Sequence, residues 1–298
     1  CDAVVLLGDN LHMRNNPSVV LREFVEFLNG FGDKPIHILC GNHEVSGRGT
    51  ALDFLKELNH PNWHIYTDVQ TVGKDGLKIT FMPYMTPANL GVKDNIEATQ
   101  KLLELATGGD VLFLHHTIQG SLWIGDSIEH LNEPVLPREV LEERYGFICG
   151  GHIHKPQWLS KKTLIAGSVF TAEVNEMSKS VWIYDTNMKT TEEIPLPVRQ
   201  IHKVHIRKEN EMTFMKIPDY SIVKCIVTSR EANIEKIREM ASRFDACVIV
   251  EAYPRERQKV HFKEGALDLS VDNMLRVYSE SRKVVLSDLM AGFDIIRQ

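Results

Sequence analysis

Four short stretches carry residue types that can do chemistry together: LLGDNLH (6–12), ILCGNHE (38–44), VLFLHHT (111–117) and ICGGHIH (148–154). Each is an apolar run that ends at once in Gly, Asp, Asn or His. A buried strand holds its carboxyl-terminal tip rigidly, and glycine there lets the backbone turn and lets neighbouring groups approach closely. Asp9, Asn42, His115, His116, His152 and His154 are then oxygen and imidazole donors suited to manganese, iron or zinc. His152 and His154 stand two apart, so in an extended segment both rings face the same way. Singly, each stretch has a plain structural explanation: a hydrogen-bonded loop histidine, a Gly-Asn turn or a solvated His pair. Four in this order and spacing point instead to one donor cluster built on strand tips.

The elements that must position them follow from periodicity. Apolar runs predict strands over Ala3–Leu7, Ile36–Cys40, Leu77–Met82, Val111–Leu114, Phe147–Cys149, Leu164–Ala166 and Val181–Tyr184. Helical spacing runs through Leu21, Phe24, Val25, Leu28 and Phe31 after Pro17, from near Thr50, over Ile96–Ala106 and over Pro137–Tyr145. This alternation predicts a layered α/β domain with its loops at the strand ends. Pro195 and Pro197 punctuate a change of composition, and a boundary near residue 200 is expected. Beyond it, Ile222–Val227, a helix over Asn233–Phe244 and Cys247–Ala252 make a small strand–helix–strand unit. The last stretch returns to helical spacing at Val271, Met274, Tyr278, Val285, Leu289, Phe293 and Ile296.

Bulk properties narrow the function. A net charge of -6 over 298 residues excludes a general polycation for nucleic acid, so a DNA partner needs a local basic face, bound metal or another subunit. Lys203, His205, Arg207 and Lys208 form such a local cluster, and Lys155, Lys161 and Lys162 follow the last island. Trp123 could stack on a base, although a packed loop aromatic is the plainer reading. No apolar run approaches the ~20 residues that span a bilayer, so no membrane partner is expected. The five cysteines show no Cys-x-x-Cys pairing and read as reduced thiols, which points to a cytoplasmic setting.

The order GD-x-x-H, GNH-E, HH, GHIH resembles the calcineurin-like metallophosphoesterases. Within them it is most similar to the SbcD-type DNA-repair nucleases, phage versions included. His12 stands three residues after Asp9, as in those nucleases, and TLIAGSVFTAEVNEMSKSVWIYDT resembles their strand–GS–strand run. The resemblance is specific over residues 6–154, moderate to 186 and loose beyond. It implies a layered β-sandwich flanked by helices over 1–200, an α+β DNA-capping domain over 201–266 and a helical tail over 267–298.

The resemblance also implies roles. Asp9 would bridge two divalent metals, manganese above all. Asn42, His115 and His152 would complete one metal, with His116 the alternative to His115, and His154 would serve the other. His43 would contact the phosphate or protonate the leaving oxygen, and His12 would steady the phosphate. DNA, an SbcC-like coiled-coil ATPase docked on the tail and a second copy of the chain are the implied partners. The family carries one further island, Asp-x-His, on the strand before LLGD. This chain opens on Cys1 in mid-strand without it, so a truncated start and an incomplete second metal site are expected. A metallophosphatase for small molecules and a non-catalytic DNA- or ATPase-binding scaffold are the competing expectations.

Overall fold

The structure is a computed structural model and describes residues 1–46, 49–122, 132–171, 179–199, 201–208, 221–227, 232–241 and 247–252. Trp123, the tail over 267–298 and the end of the capping region lie outside these residues.

Two sheets face each other. The smaller has three parallel strands in the order Val4–Leu6, Ile36–Leu39, Trp63–Tyr66. The larger has six, in the order Gln157–Trp158, Thr163–Ile165, Tyr145–Gly150, Gly109–Leu114, Leu77–Met82, Gln70–Lys74. Its four middle strands run parallel and its two edge strands antiparallel. Buried Leu39, Tyr66 and Phe81, with Val5, Val72 and Phe113, fill the space between the sheets. An aromatic stack crosses that space: Phe81 lies 4.7 Å from His37, 4.2 Å from Tyr66 and 5.7 Å from Phe113 between ring centroids. The expected layered α/β sandwich is therefore the observed architecture.

Helices cover the outer faces. Ser18–Asn29 buries Phe24 and Leu28 against the outer face of the small sheet, where Ile36 and Ile38 point. Fully burying such a side chain stabilises by about 1.5–3 kcal/mol. On the far face of the large sheet, Asn95–Leu105 and Arg138–Arg144 bury Leu102 and Leu141 against Leu112, Leu114 and Ile148. The first of these helices starts where Asp94 accepts hydrogen bonds from the backbone N–H groups of Ile96 and Glu97, both at 2.9 Å, which satisfies two otherwise unpaired donors.

Several expectations need correction. The helix expected from near Thr50 runs only over Asp53–Glu57, because Val45–Ser46 and Gly49–Thr50 pair as a short ladder first. Trp63–Tyr66, Gln70–Lys74 and Thr190–Pro195 are strands that apolar runs did not mark, since their polar residues alternate or dominate. The last pairs antiparallel with Ser180–Asp185. The small unit past residue 200 gains a strand, Ile201–Ile206, and becomes a parallel sheet in the order Ile201–Ile206, Ile222–Val227, Cys247–Ala252. Val204 and Ile206 point into its core with Val223, Cys225 and Ile237. Lys203, His205 and Arg207 alternate with them and are exposed.

Candidate metal centre at the strand tips

All four islands leave parallel strands at their carboxyl ends: Asp9 after Val4–Leu6, Asn42 after Ile36–Leu39, His115 after Gly109–Leu114 and His152 after Tyr145–Gly150. The sandwich brings these tips together, the usual position of a site in α/β sheets. Gly41 is needed there because a Cβ on it would meet Asp9 N and Oδ1 at 2.2 Å. Gly8, at φ +95°, lies as close to the ring of His115.

Asp9, His115 and His152 each offer one donor atom, and these lie within 4.8 Å of one another. His115 Nε2 is 3.2 Å from Asp9 Oδ2, and its Nδ1 is held by the Leu7 carbonyl. Asn42 Oδ1 lies 3.1 Å from His115 Nε2, 3.0 Å from His152 Nδ1 and 3.0 Å from Asp9 Oδ2. Turned about, the amide would present its NH2 to the same groups, with two N–H donors among them. With oxygen inward, a fourth lone pair joins three others, the electrostatic condition that a divalent cation meets. One carboxylate, one amide oxygen and two imidazoles form the mixed donor set of a first-row transition metal, and the arrangement fits such an ion.

The electrostatics agree. Burial alone would raise the Asp9 carboxyl, but the hydrogen bond and charge of His115, with the N–H and charge of His43, bring it down to about 2. Burial likewise acts to lower His115, and Asp9 outweighs it and raises its pKa. Asp9 at φ +52° and His152 at φ +70° both occupy the left-handed region, a strain of about 1–3 kcal/mol each that persists only where surroundings over-determine it.

Two glutamates, one buried and one partly buried, do much of that. Glu44, fully buried, accepts from the backbone N–H groups of Asp9 at 3.0 Å, Leu11 at 2.8 Å and Gly41 at 2.6 Å. It ties the GD turn to the GNH turn. Glu133 accepts from His152 Nε2, with its two oxygens at 2.9 and 3.1 Å, and from the Thr117 hydroxyl. Sequence reasoning missed Glu133 altogether. A lone acidic residue in a loop carries no periodic or motif signal.

The remaining predicted residues divide. His12 and His43 come together beside Asp9: their rings stack at 5.4 Å, the His12 carbonyl accepts from His43 Nδ1 at 2.9 Å, and His43 Nε2 is 4.0 Å from Asp9 Oδ2. His116 turns away from the cluster, stacking on Tyr84 at 5.2 Å and taking the Met85 N–H on Nε2 at 3.3 Å. Burial pushes its pKa down to about 3. His154 is not among the three clustered donors. Its carbonyl accepts from the buried Lys179 ammonium at 2.9 Å, which also reaches the Ser168 hydroxyl. Lys155, Lys161 and Lys162 are exposed, and Lys162 donates to the Glu142 carbonyl at 3.1 Å. Cys40 and Cys149 are not among the clustered donors, and burial pushes their thiols up to about 12. Among the described residues, no helix is long and apolar enough to cross a membrane.

Comparison with known proteins agrees with this geometry. Exonuclease subunit 1 of Enterobacteria phage T4 is 23% identical over 224 residues, an alignment covering 72% of this chain and 60% of that protein. The chain thus spans less than two thirds of the length of this curated relative. Residues 1–156, which contain all four islands, match the model of the calcineurin-like phosphoesterases. That family uses divalent metals, and the converging donors lie inside the matched segment. With more than half of its length matched, the chain belongs to the calcineurin-like phosphoesterase family.

Proposed function

We propose that the chain hydrolyses phosphodiester bonds in DNA with the help of divalent metal ions, as the nuclease subunit of a complex with an SbcC-like coiled-coil ATPase. The observation that carries the reading is the convergence of Asp9, Asn42, His115 and His152, with His43 beside them. In this reading those four hold one ion, manganese, and Asp9 with His154 serves a second. Bound metals supply charge neutralisation at the phosphoryl oxygens and an activated water.

The chain's own residues supply the rest. Asp9 is ionised throughout the neutral range because its pKa is held at about 2. His43 donates its Nδ1 proton to the His12 carbonyl, so Nε2 is the nitrogen left to exchange a proton. Its side chain is 39% exposed, which leaves that edge open to a phosphate and a leaving oxygen. His12, exposed and stacked on it, braces the plane of the ring. Glu44 keeps the two turns that carry Asp9 and Asn42 in register.

A polymeric substrate is favoured over a small one by two features. The similar phage protein is an exonuclease subunit, and the unit past residue 200 presents exposed Lys203, His205 and Arg207 on an edge strand. Residues 201–266 then cap the DNA, residues 267–298 dock the ATPase and two copies act together. The test sets cleavage of linear DNA against hydrolysis of a chromogenic phosphodiester, with manganese, for the wild type and Asp9→Asn. Metal-dependent DNA cleavage lost in Asp9→Asn is expected. Hydrolysis of the small ester alone would overturn the DNA assignment.

A further inference from the structure

We propose that Glu133 is a positioning residue that fixes the tautomer and orientation of His152, so that Nδ1 is the nitrogen presented to the metal. The inference rests on the reading that Asp9, Asn42, His115 and His152 hold a cation. A neutral imidazole carries its proton on one nitrogen only. His152 Nδ1 faces the cluster, 3.0 Å from Asn42 Oδ1. Its Nε2 lies 2.9 and 3.1 Å from the two oxygens of Glu133. An ionised carboxylate only accepts, so Nε2 must carry the proton and Nδ1 keeps its lone pair for the cluster.

The carboxylate is itself held in place. It accepts from the Thr117 hydroxyl. Glu133 precedes the strand Val135–Leu136, which pairs in parallel with Thr117–Ile118 just past His115. One ladder thus ties the glutamate to the loop of a second donor. Both partners are desolvated, with 5% of the His152 side chain and 11% of the Glu133 side chain exposed, which strengthens a charge-assisted bond. The histidine also needs an outside hold, because its backbone sits at φ +70° rather than in a favoured well. Glu133 is not a further donor: its oxygens face the ring nitrogen turned away from Asn42, and it lies outside the three clustered donors. Carboxylates behind metal-ligating histidines commonly contribute about 10–100-fold in metal affinity.

The test uses the full chain as wild type, Glu133→Ala and Glu133→Gln, with manganese alone as the probe. Histidine-selective 15N NMR on the metal-free protein reads the His152 tautomer, and calorimetric titration reads affinity. The wild type should show His152 protonated at Nε2. In Glu133→Ala that preference should disappear and manganese affinity should fall by about 10–100-fold. Glu133→Gln keeps the shape and still offers an amide oxygen to Nε2–H. It should keep the tautomer and lose less affinity, which separates positioning from a general loss of fold. An unchanged tautomer in Glu133→Ala would overturn the inference whatever the metal does. A wild type that shows the Nε2 tautomer yet takes up no manganese would overturn the metal-centre reading instead and leave the positioning result standing.

Discussion

The two halves of the site are braced by the same residue type in opposite ways. On the small-sheet side, Glu44 accepts three backbone N–H groups and fixes the path of the chain around Asp9 and Asn42. On the large-sheet side, Glu133 accepts from a side chain and fixes a ring. Their acidities diverge accordingly. Burial pushes the Glu44 carboxyl up, with Asp9 adding to it, and the N–H groups only partly resist. Burial acts on Glu133 in the same sense, but the hydrogen bond and charge of His152 reverse it and lower the pKa. A carboxylate that organises backbone serves folding, and one that pairs with an imidazole orients a ring; in the proposed metal centre that ring is a ligand. Substitutions on the two sides should therefore fail differently.

The largest expected effect separates turnover from ligation. His43→Ala on the small-sheet side should cut phosphodiester hydrolysis by about 10²–10⁴-fold, the usual contribution of a general acid. Manganese content should stay near wild type, because His43 supplies no clustered donor. His152→Ala on the large-sheet side should remove the metal as well. Elemental analysis beside a rate measurement decides it, and metal loss in His43→Ala would show that the halves are not divided in this way.

Next comes Glu44→Gln. Its one oxygen cannot replace two, and the new NH2 opposes an N–H, leaving at least one buried donor unpaired at about 1–3 kcal/mol. The unfolding free energy, read by denaturant titration, should fall by that amount. Glu133→Gln should lower it by less than about 1 kcal/mol, since it keeps an acceptor for His152. Equal losses in the two variants would show that Glu44 and Glu133 brace the fold in the same way.

Lys179→Met probes the large-sheet side from behind. Lys179, 1% exposed, holds the His154 carbonyl and the Ser168 hydroxyl. Hydrogen bonds to charged groups contribute about 1.5–3 kcal/mol, and the apolar replacement recovers part of this by sparing the burial of an ammonium. The net loss, read by thermal melting, should fall near 1 kcal/mol.

The smallest effect is a pH dependence of the sandwich. Burial first, then the charges of His64 and Lys74, lower the pKa of His37 to about 4. A base depressed on folding binds fewer protons than in the unfolded chain. Stability should therefore be full above about pH 6.5 and decline as the pH falls from there towards 4. With the ring partly exposed and screened, the loss by pH 5 should reach about 1 kcal/mol. His37→Phe should flatten that slope between pH 7 and pH 5, as read by denaturant midpoints. A slope unchanged in the variant would assign the pH response to the site rather than to the stack.

Much of this molecule was legible before any coordinates. The strands Leu77–Met82, Ile222–Val227 and Cys247–Ala252 lie where apolar runs put them. The islands at Asp9, Asn42 and His152 announce themselves because a buried strand ending in glycine and a polar residue has few other uses. Polar strands escaped notice. Thr190–Pro195 has one aliphatic residue, Ile194, and is a strand because Ser180–Asp185 offers it a ladder.

The sequence by itself determined which chemistry is available: a carboxylate, an amide and imidazoles, each at the end of its own apolar strand. Local propensity and hydrophobic period are properties of the chain, so they can be read along it. The tertiary structure decided which atoms meet. His115 rather than His116 faces Asp9 because the strand pairing, with the His115 N–H on the Met82 carbonyl at 2.9 Å, sets the register. A slip of one residue there would swap the two rings. Glu133 is one of 40 acidic residues, and nothing near it in the chain marks it out. It becomes specific only when the fold sets it behind His152, because a hydrogen bond depends on distance and direction in space, which sequence separation does not encode.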